Sequence, residues 1–207
     1  MKILSFLLIL VVGLTQAQES SNYTITINGE PFDYILGKDF QYNVKKKGEL
    51  SIKVSQKEVL TYNDGIVTFN HSKNFPVSES LIDDTIKQIT VIGATGSGVI
   101  IQEYSDFDPA LMVDLMLNEV TKESIDYGYT ETASNIEIKT KDGKTLKGKK
   151  SILEYQGEID EWIVVTYSWK DSGILIVGIN IDKKSISDGG DINVKNFFES
   201  LEIIKQN

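Results

Sequence analysis

From Glu161 to Ile181 the apolar and polar positions follow the two-residue period of a β-hairpin, with strands on either side of a Lys170-Asp171-Ser172-Gly173 turn. A two- or four-residue turn is expected to set Trp169 opposite Ile174. Ile163, Val165, Tyr167 and Trp169 then share one face with Ile174, Ile176 and Gly178. Trp162, Val164, Leu175, Val177, Ile179 and Ile181 fall on the other face. Because both faces are mainly apolar, the hairpin belongs in mid-sheet with cover on each side.

The rest of the chain supplies that cover. Tyr23 to Ile27, Phe32 to Leu36, Phe40 to Val44 and Leu50 to Val54 read as short, half-buried strands, a small β appendage over residues 18–62. Asn63-Asp64-Gly65 marks a turn and a boundary, and residues 63–207 form the main domain. There Ile66 to Phe69 is a strand, Phe75-Pro76 a break, and Ser78 to Ile86 either a helical turn or a loop. Gln88 to Ile92 and Val99 to Tyr104 pair around a glycine cluster, Gly93 to Gly98. That cluster is a hairpin turn rather than a dinucleotide loop, because a β-branched strand follows it where a helix would have to open.

A helix over residues 109–124 is expected from Asp106 or Asp108 as N-cap and Pro109 in the first turn. Met112, Val113, Met116, Leu117 and Val120 form its apolar face, with Asp114, Asn118 and Thr121 facing water. Ile136 to Ile138 and Thr145 to Tyr155 make a second long hairpin around Asp142-Gly143. Val194, Phe197, Phe198 and Leu201 define a closing helix with Asp191 as N-cap.

Composition adds a compartment. Met1-Lys2, the apolar run Ile3 to Leu14 and Thr15-Gln16-Ala17 have the three parts of a secretory signal peptide, residues 1–17. The run is too short to span a bilayer, so no transmembrane anchor is expected and the mature protein is placed in the periplasm or outside the cell. The chain has no cysteine, which removes disulfides, thiolate catalysis and cysteine metal sites. Its formal charge is -9, and -10 once Lys2 leaves with the signal. All 21 basic residues are lysine. Net negative charge and the lack of arginine forks disfavour nucleic acid as a partner.

Little in the chain points to catalysis. His71 is the single histidine and sits in the polar stretch Asn70-His71-Ser72-Lys73, read as exposed. Glu103, Asp106, Asp108, Glu154, Glu158, Asp160 and Glu161 could be drawn into pairs of the glycosidase kind, but chance adjacency among 30 acids accounts for them. Asp182, Asp188 and Asp191 could offer oxygens to a divalent cation, without the spacing of an EF-hand. No cofactor is expected. Lys139, Lys141, Lys144, Lys147, Lys149 and Lys150 crowd the second hairpin. They are a candidate interaction patch, or a guard that keeps an edge strand from pairing.

Several stretches together carry a family resemblance. They are Ile66 to Phe69 with Phe75-Pro76, Gln88-Ile89-Thr90, Ile101 to Tyr104, Leu146-Lys147-Gly148 leading to Tyr155, and Phe198 to Ile203. In that order, residues 63–203 resemble the PsbP-like family, related to the extrinsic protein of the photosynthetic oxygen-evolving complex. The resemblance implies an α+β fold, an αβα sandwich with a mainly antiparallel sheet and helices packed on both faces, preceded here by the small all-β segment. It also implies a non-catalytic domain that docks to a larger protein assembly. The leading expectation is therefore an exported accessory or interaction protein that docks to a protein partner or envelope component. The alternative is a carrier for a lipid or other small hydrophobic ligand held between the 109–124 helix and the central sheet, lined by Met112, Met116, Trp162 or Trp169.

Overall fold

The computed structural model describes residues 21–44, 49–181 and 189–204, so the expected signal peptide, Asp182 and Asp188 lie outside it. A small three-stranded sheet comes first: β1 (Tyr23–Ile27) at its centre, flanked by β2 (Glu30–Tyr34) and β3 (Ile52–Gln56). The strand expected at Phe40 to Val44 does not form. Phe40 and Tyr42 instead pack against the Phe32 ring, each at 5.7 Å between centroids, the first tilted and the second edge-on, without joining the ladder.

A second small sheet is built from β4 (Val59–Asn63) and β5 (Val67–Ser72), a hairpin turned at Asp64-Gly65. Next come β6 (Val77–Asp83), β7 (Ile86–Ile92) and β8 (Gly98–Tyr104), a meander that opens the main sheet. Most of the Ser78 to Ile86 segment is therefore strand. Its alternating Val77, Glu79 and Leu81 lie at a sheet edge, where few apolar residues are needed. The glycine cluster is the β7–β8 turn, closed by a hydrogen bond from Gly96 N to Gly93 O.

After β8 the chain crosses over through a 3-10 turn, Pro109–Met112, capped by the Asp108 side chain, and α1 (Val113–Tyr127), ended by Gly128. It then meanders back through β9 (Thr130–Lys139), β10 (Thr145–Tyr155), β11 (Glu158–Trp169) and β12 (Ser172–Asn180). β12 lands beside β8, giving the seven-stranded order β6-β7-β8-β12-β11-β10-β9 with every pairing antiparallel. The central hairpin turns tightly on Lys170 and Asp171, so Trp169 faces Ser172 and Tyr167 faces Ile174. The expected pairing of Trp169 with Ile174 is off by two residues. An even shift leaves each side chain on its face, so the two apolar sets stand.

The chain ends with α2 (Gly190–Ser200) and the two-residue β13 (Glu202–Ile203), which pairs with β5. Gly178 lets α2 come close, since a Cβ there would lie 3.1 Å from the Phe198 ring. Asp191 is not the N-cap; Gly189, with a positive φ of 78°, takes that position and Asp191 sits in the first turn.

The αβα sandwich with helices packed on both faces is corrected by this arrangement. The protein is mostly antiparallel sheet, 53% strand against 17% helix, with two helices among the described residues. A helical layer covers neither face. On the Ile163, Val165, Ile174 and Ile176 face the cover is shared between the β13-β5-β4 sheet, through Tyr62, Val67, Phe69 and Ile203, and α2, through Val194, Phe197 and Phe198. On the opposite face a single helix, α1, lies across β10 and β11, with Leu117 against the cluster of Val164, Leu175 and Val177. Thr121, expected to face water, is fully buried there, its hydroxyl donating to Leu117 O at 2.9 Å. Leu111 and Leu115 take the exposed side.

Candidate functional site

The six lysines of the β9–β10 hairpin do not form one basic surface. Lys141 pairs with Glu202 at 2.5 Å, Lys147 with Glu137 at 3.4 Å, Lys149 with Asp114 of α1 at 2.5 Å and Lys150 with Glu161 at 3.0 Å. Lys144 pairs with Asp142 and also donates to Ile203 O at 2.7 Å. Lys147 and Lys149 lie on the α1 side of β10, while Lys150 lies on the α2 side. Lys139 is the member without an ion pair among the described residues.

Nor do these lysines guard the sheet edge. Lys147, Lys149 and Lys150 belong to β10, which is paired on both sides, and Lys141 and Lys144 frame the turn. The edge strand is β9, and it carries only Lys139, at its last position. Thr130 to Asn135 are exposed without a break and carry no large apolar side chain on either face. Beside them, Thr130, Thr132, Ile152 and Glu154 line an open groove of about 340 Å³. An edge of this length offers a row of N–H and C=O groups that no further strand among the described residues pairs with.

Of the four residues expected around a hydrophobic ligand, three lie together and Trp169 lies apart. Met112, Met116 and Trp162 pack on the α1 side of the sheet. Trp169 lies on the other face with Tyr167, their rings 6.0 Å apart. Trp162 Nε1 is buried and makes no hydrogen bond.

One polar cluster was not visible in the sequence. At the seam between the small β4–β5 sheet and the β6-β7-β8 end of the main sheet, Lys87 reaches Asp64 at 2.7 Å, Glu79 at 3.0 Å, the Tyr62 hydroxyl at 3.2 Å and Glu103 at 4.0 Å. The β4–β5 turn places Asp64, whose Oδ1 accepts from Ile66 N and Val67 N while Oδ2 takes Lys87. Tyr62 donates to Glu79 at 2.8 Å.

Glu103 is 5% exposed, and burial followed by the charge of Asp64 pushes its carboxyl up to about 8. It is therefore protonated at neutral pH. Burial would raise Asp64 too, but hydrogen bonds from Lys87 and the turn amides hold it below the ordinary carboxylate range. Burial opposes the charge on Lys87, and hydrogen bonds to Asp64 and Glu79 outweigh that effect and raise it. The Tyr62 phenol is held far above its usual value, first by burial and then by Asp64. The contacts of Lys87 with Asp64, Glu79 and Tyr62 tie the β4–β5 turn to the main sheet, beside the buried Glu103, whose Oε1 makes no hydrogen bond. Glu103 is the one acid from the expected carboxylate set that the cluster holds.

His71 corrects its expectation. It lies in β5 as the third inward position after Val67 and Phe69, 4% exposed, with Nδ1 donating to Phe75 O at 2.9 Å. Burial lowers its pKa. Among the described residues, no group of three or more His, Cys, Asp or Glu side chains is arranged to hold a metal ion. None of their helices is long and apolar enough to cross a membrane. Comparison of the chain with protein-family models and with curated proteins finds no match.

Proposed function

We propose that this is an exported, non-catalytic interaction protein that docks to a larger protein assembly or envelope component through the open edge of its seven-stranded sheet. The observation that carries the reading is β9, ten residues long and terminal in the sheet, with one of the six lysines expected to guard it, Lys139, at its last position. An extended segment added to such an edge gains main-chain hydrogen bonds along its length, and the groove beside Thr130 and Thr132 would receive its side chains.

The test is a photo-cross-linking residue placed at Asn135 in the producing cell, with a control at Asp171 on the far hairpin tip. Adducts to another chain are expected at 135 and not at 171. Equal or absent labelling at the two positions would sink the proposal. Export has its own measurement: the mature protein should begin at Gln18, as read by mass spectrometry of the intact chain from the envelope or medium.

A second reading, a carrier of a small hydrophobic ligand between the 109–124 helix and the sheet, rests on the unpartnered Trp162 Nε1. Native mass spectrometry of the mature protein tests it. A non-covalent adduct that vanishes on denaturation supports the carrier, and a bare mass removes it.

A further inference from the structure

We propose that the partner strand on β9 is β9 of a second copy, paired antiparallel about a two-fold axis at Asn135. This rests on the docking reading above and names its occupant. In a two-fold pairing across one continuous sheet, directly opposed residues must share a face, which allows only every second register. Centred on Ser134, the pairing sets Glu131 against the partner's Glu137, like charges in direct opposition. Centred on Asn135, it sets Glu131 against the partner's Lys139, and does so twice by symmetry.

That register also places Thr132 against the partner's Ile138 and Ser134 against the partner's Ile136. Ile136 and Ile138 are the half-buried residues of β9, packed against the margin of the main core. A neighbouring strand extends that margin. Lys139, which has no ion pair among the described residues, gains one in this arrangement. Glu131 uses Oε1 to accept from Ser151 at 2.6 Å and keeps its second oxygen for the lysine. Backbone bonds hold the two edges together, and the charges choose the register. Two sheets of seven strands become one of fourteen (7 + 7).

Sedimentation of the mature full chain at micromolar concentration should show a dimer. Lys139→Glu and Glu131→Lys each put like charges across the axis and should weaken the dimer about tenfold or more. The double variant E131K/K139E exchanges the partners and should restore it. Both side chains are exposed, and a circular dichroism spectrum confirms that each variant folds. Asn135→Cys adds a single thiol to a cysteine-free chain. Opposed antiparallel residues have Cα atoms about 4.5–5.5 Å apart, within disulfide range, so oxidation should link two copies, whereas Ser134→Cys should link poorly.

A monomer at all concentrations overturns the proposal, as does a dimer indifferent to both charge reversals. If that monomer still cross-links at 135 to another macromolecule, docking through β9 stands and self-pairing falls. If it does not, both fall.

Discussion

Glu103 and His71 are buried titratable groups whose effects on stability run in opposite directions. The folded state raises Glu103 from 4.5 to about 8, so its contribution is fully present below 4.5 and is lost as pH rises to about 8. His71 is lowered from 6.5, so its contribution is present above 6.5 and is lost as pH falls below that value. Glu103→Gln keeps a donor toward Asp64 and removes the ionisation. It should leave the melting temperature unchanged near pH 4 and raise it by about 5 °C or more at pH 8.5, corresponding to a few kcal/mol at most. Identical pH profiles for the variant and the parent would show that Glu103 ionises freely. His71→Asn, which keeps a donor toward Phe75 O, should be less sensitive than the parent to a change from pH 7 to pH 5 in urea unfolding. His71 was legible in principle, because Val67-Phe69-His71 alternates as a strand does, but the polar neighbours Asn70, Ser72 and Lys73 suggested a loop. Glu103 was not legible. The groups around it, Tyr62 with Asp64, Glu79 and Lys87, come from three separate stretches, and only the fold brings them together.

Among the elements, those with at least one strongly apolar face were the most readable. The β11–β12 hairpin, the β7–β8 pair and the helix after Pro109 all follow from periodicity, because their burial demands it. Edge elements carry no such demand. β6 has little apolar content, and β9 extends back from Ile136 to Thr130 through residues that bury nothing. Between these extremes lies β10, where Gly148 is a packing requirement that hydrophobic patterning does not reveal. A Cβ at 148 would lie 2.0 Å from Val164 O, a backbone atom that cannot swing aside. Gly148→Ala should cost about 3 kcal/mol in urea unfolding, from a distorted β10–β11 ladder. A loss below ~1 kcal/mol would mean the two strands can separate locally at little expense.

At the scale of the whole molecule, Asn22 ties the small N-terminal sheet to β4. Asn22 exchanges side-chain bonds with Thr61 N and Thr61 O at 2.9 and 3.3 Å and accepts from Lys57 N at 2.9 Å. The next strand, β4, belongs to the main core, with Tyr62 1% exposed and stacked on Phe69 at 4.9 Å. A mature chain starting at residue 58 should therefore keep a cooperative melt. One starting at 63, the boundary suggested by the Asn-Asp-Gly signal, should lose several kcal/mol with Tyr62 and Leu60. Equal melts for the two truncations would place the division elsewhere. The strands of the small sheet are short and closely spaced in the sequence. β4, which falls within residues 18–62, pairs with β5 on the far side of the Asn63-Asp64-Gly65 turn, a link that local spacing does not reveal.

The crossover that carries the chain from β8 to the far edge and back also sets an order of events. Val99 and Ile101 on β8 have no neighbour on one side until Gly178 and Ile176 arrive on β12, after the helix and the whole return meander. Neighbouring strands of the meander meet over short loops, whereas β8 must wait. During refolding, pulse-labelled amides of 147–169 should gain protection before those of 98–104. In that interval the newly made β8 is an apolar strand with a vacant side, the point at which crowded chains would join to one another instead of to themselves.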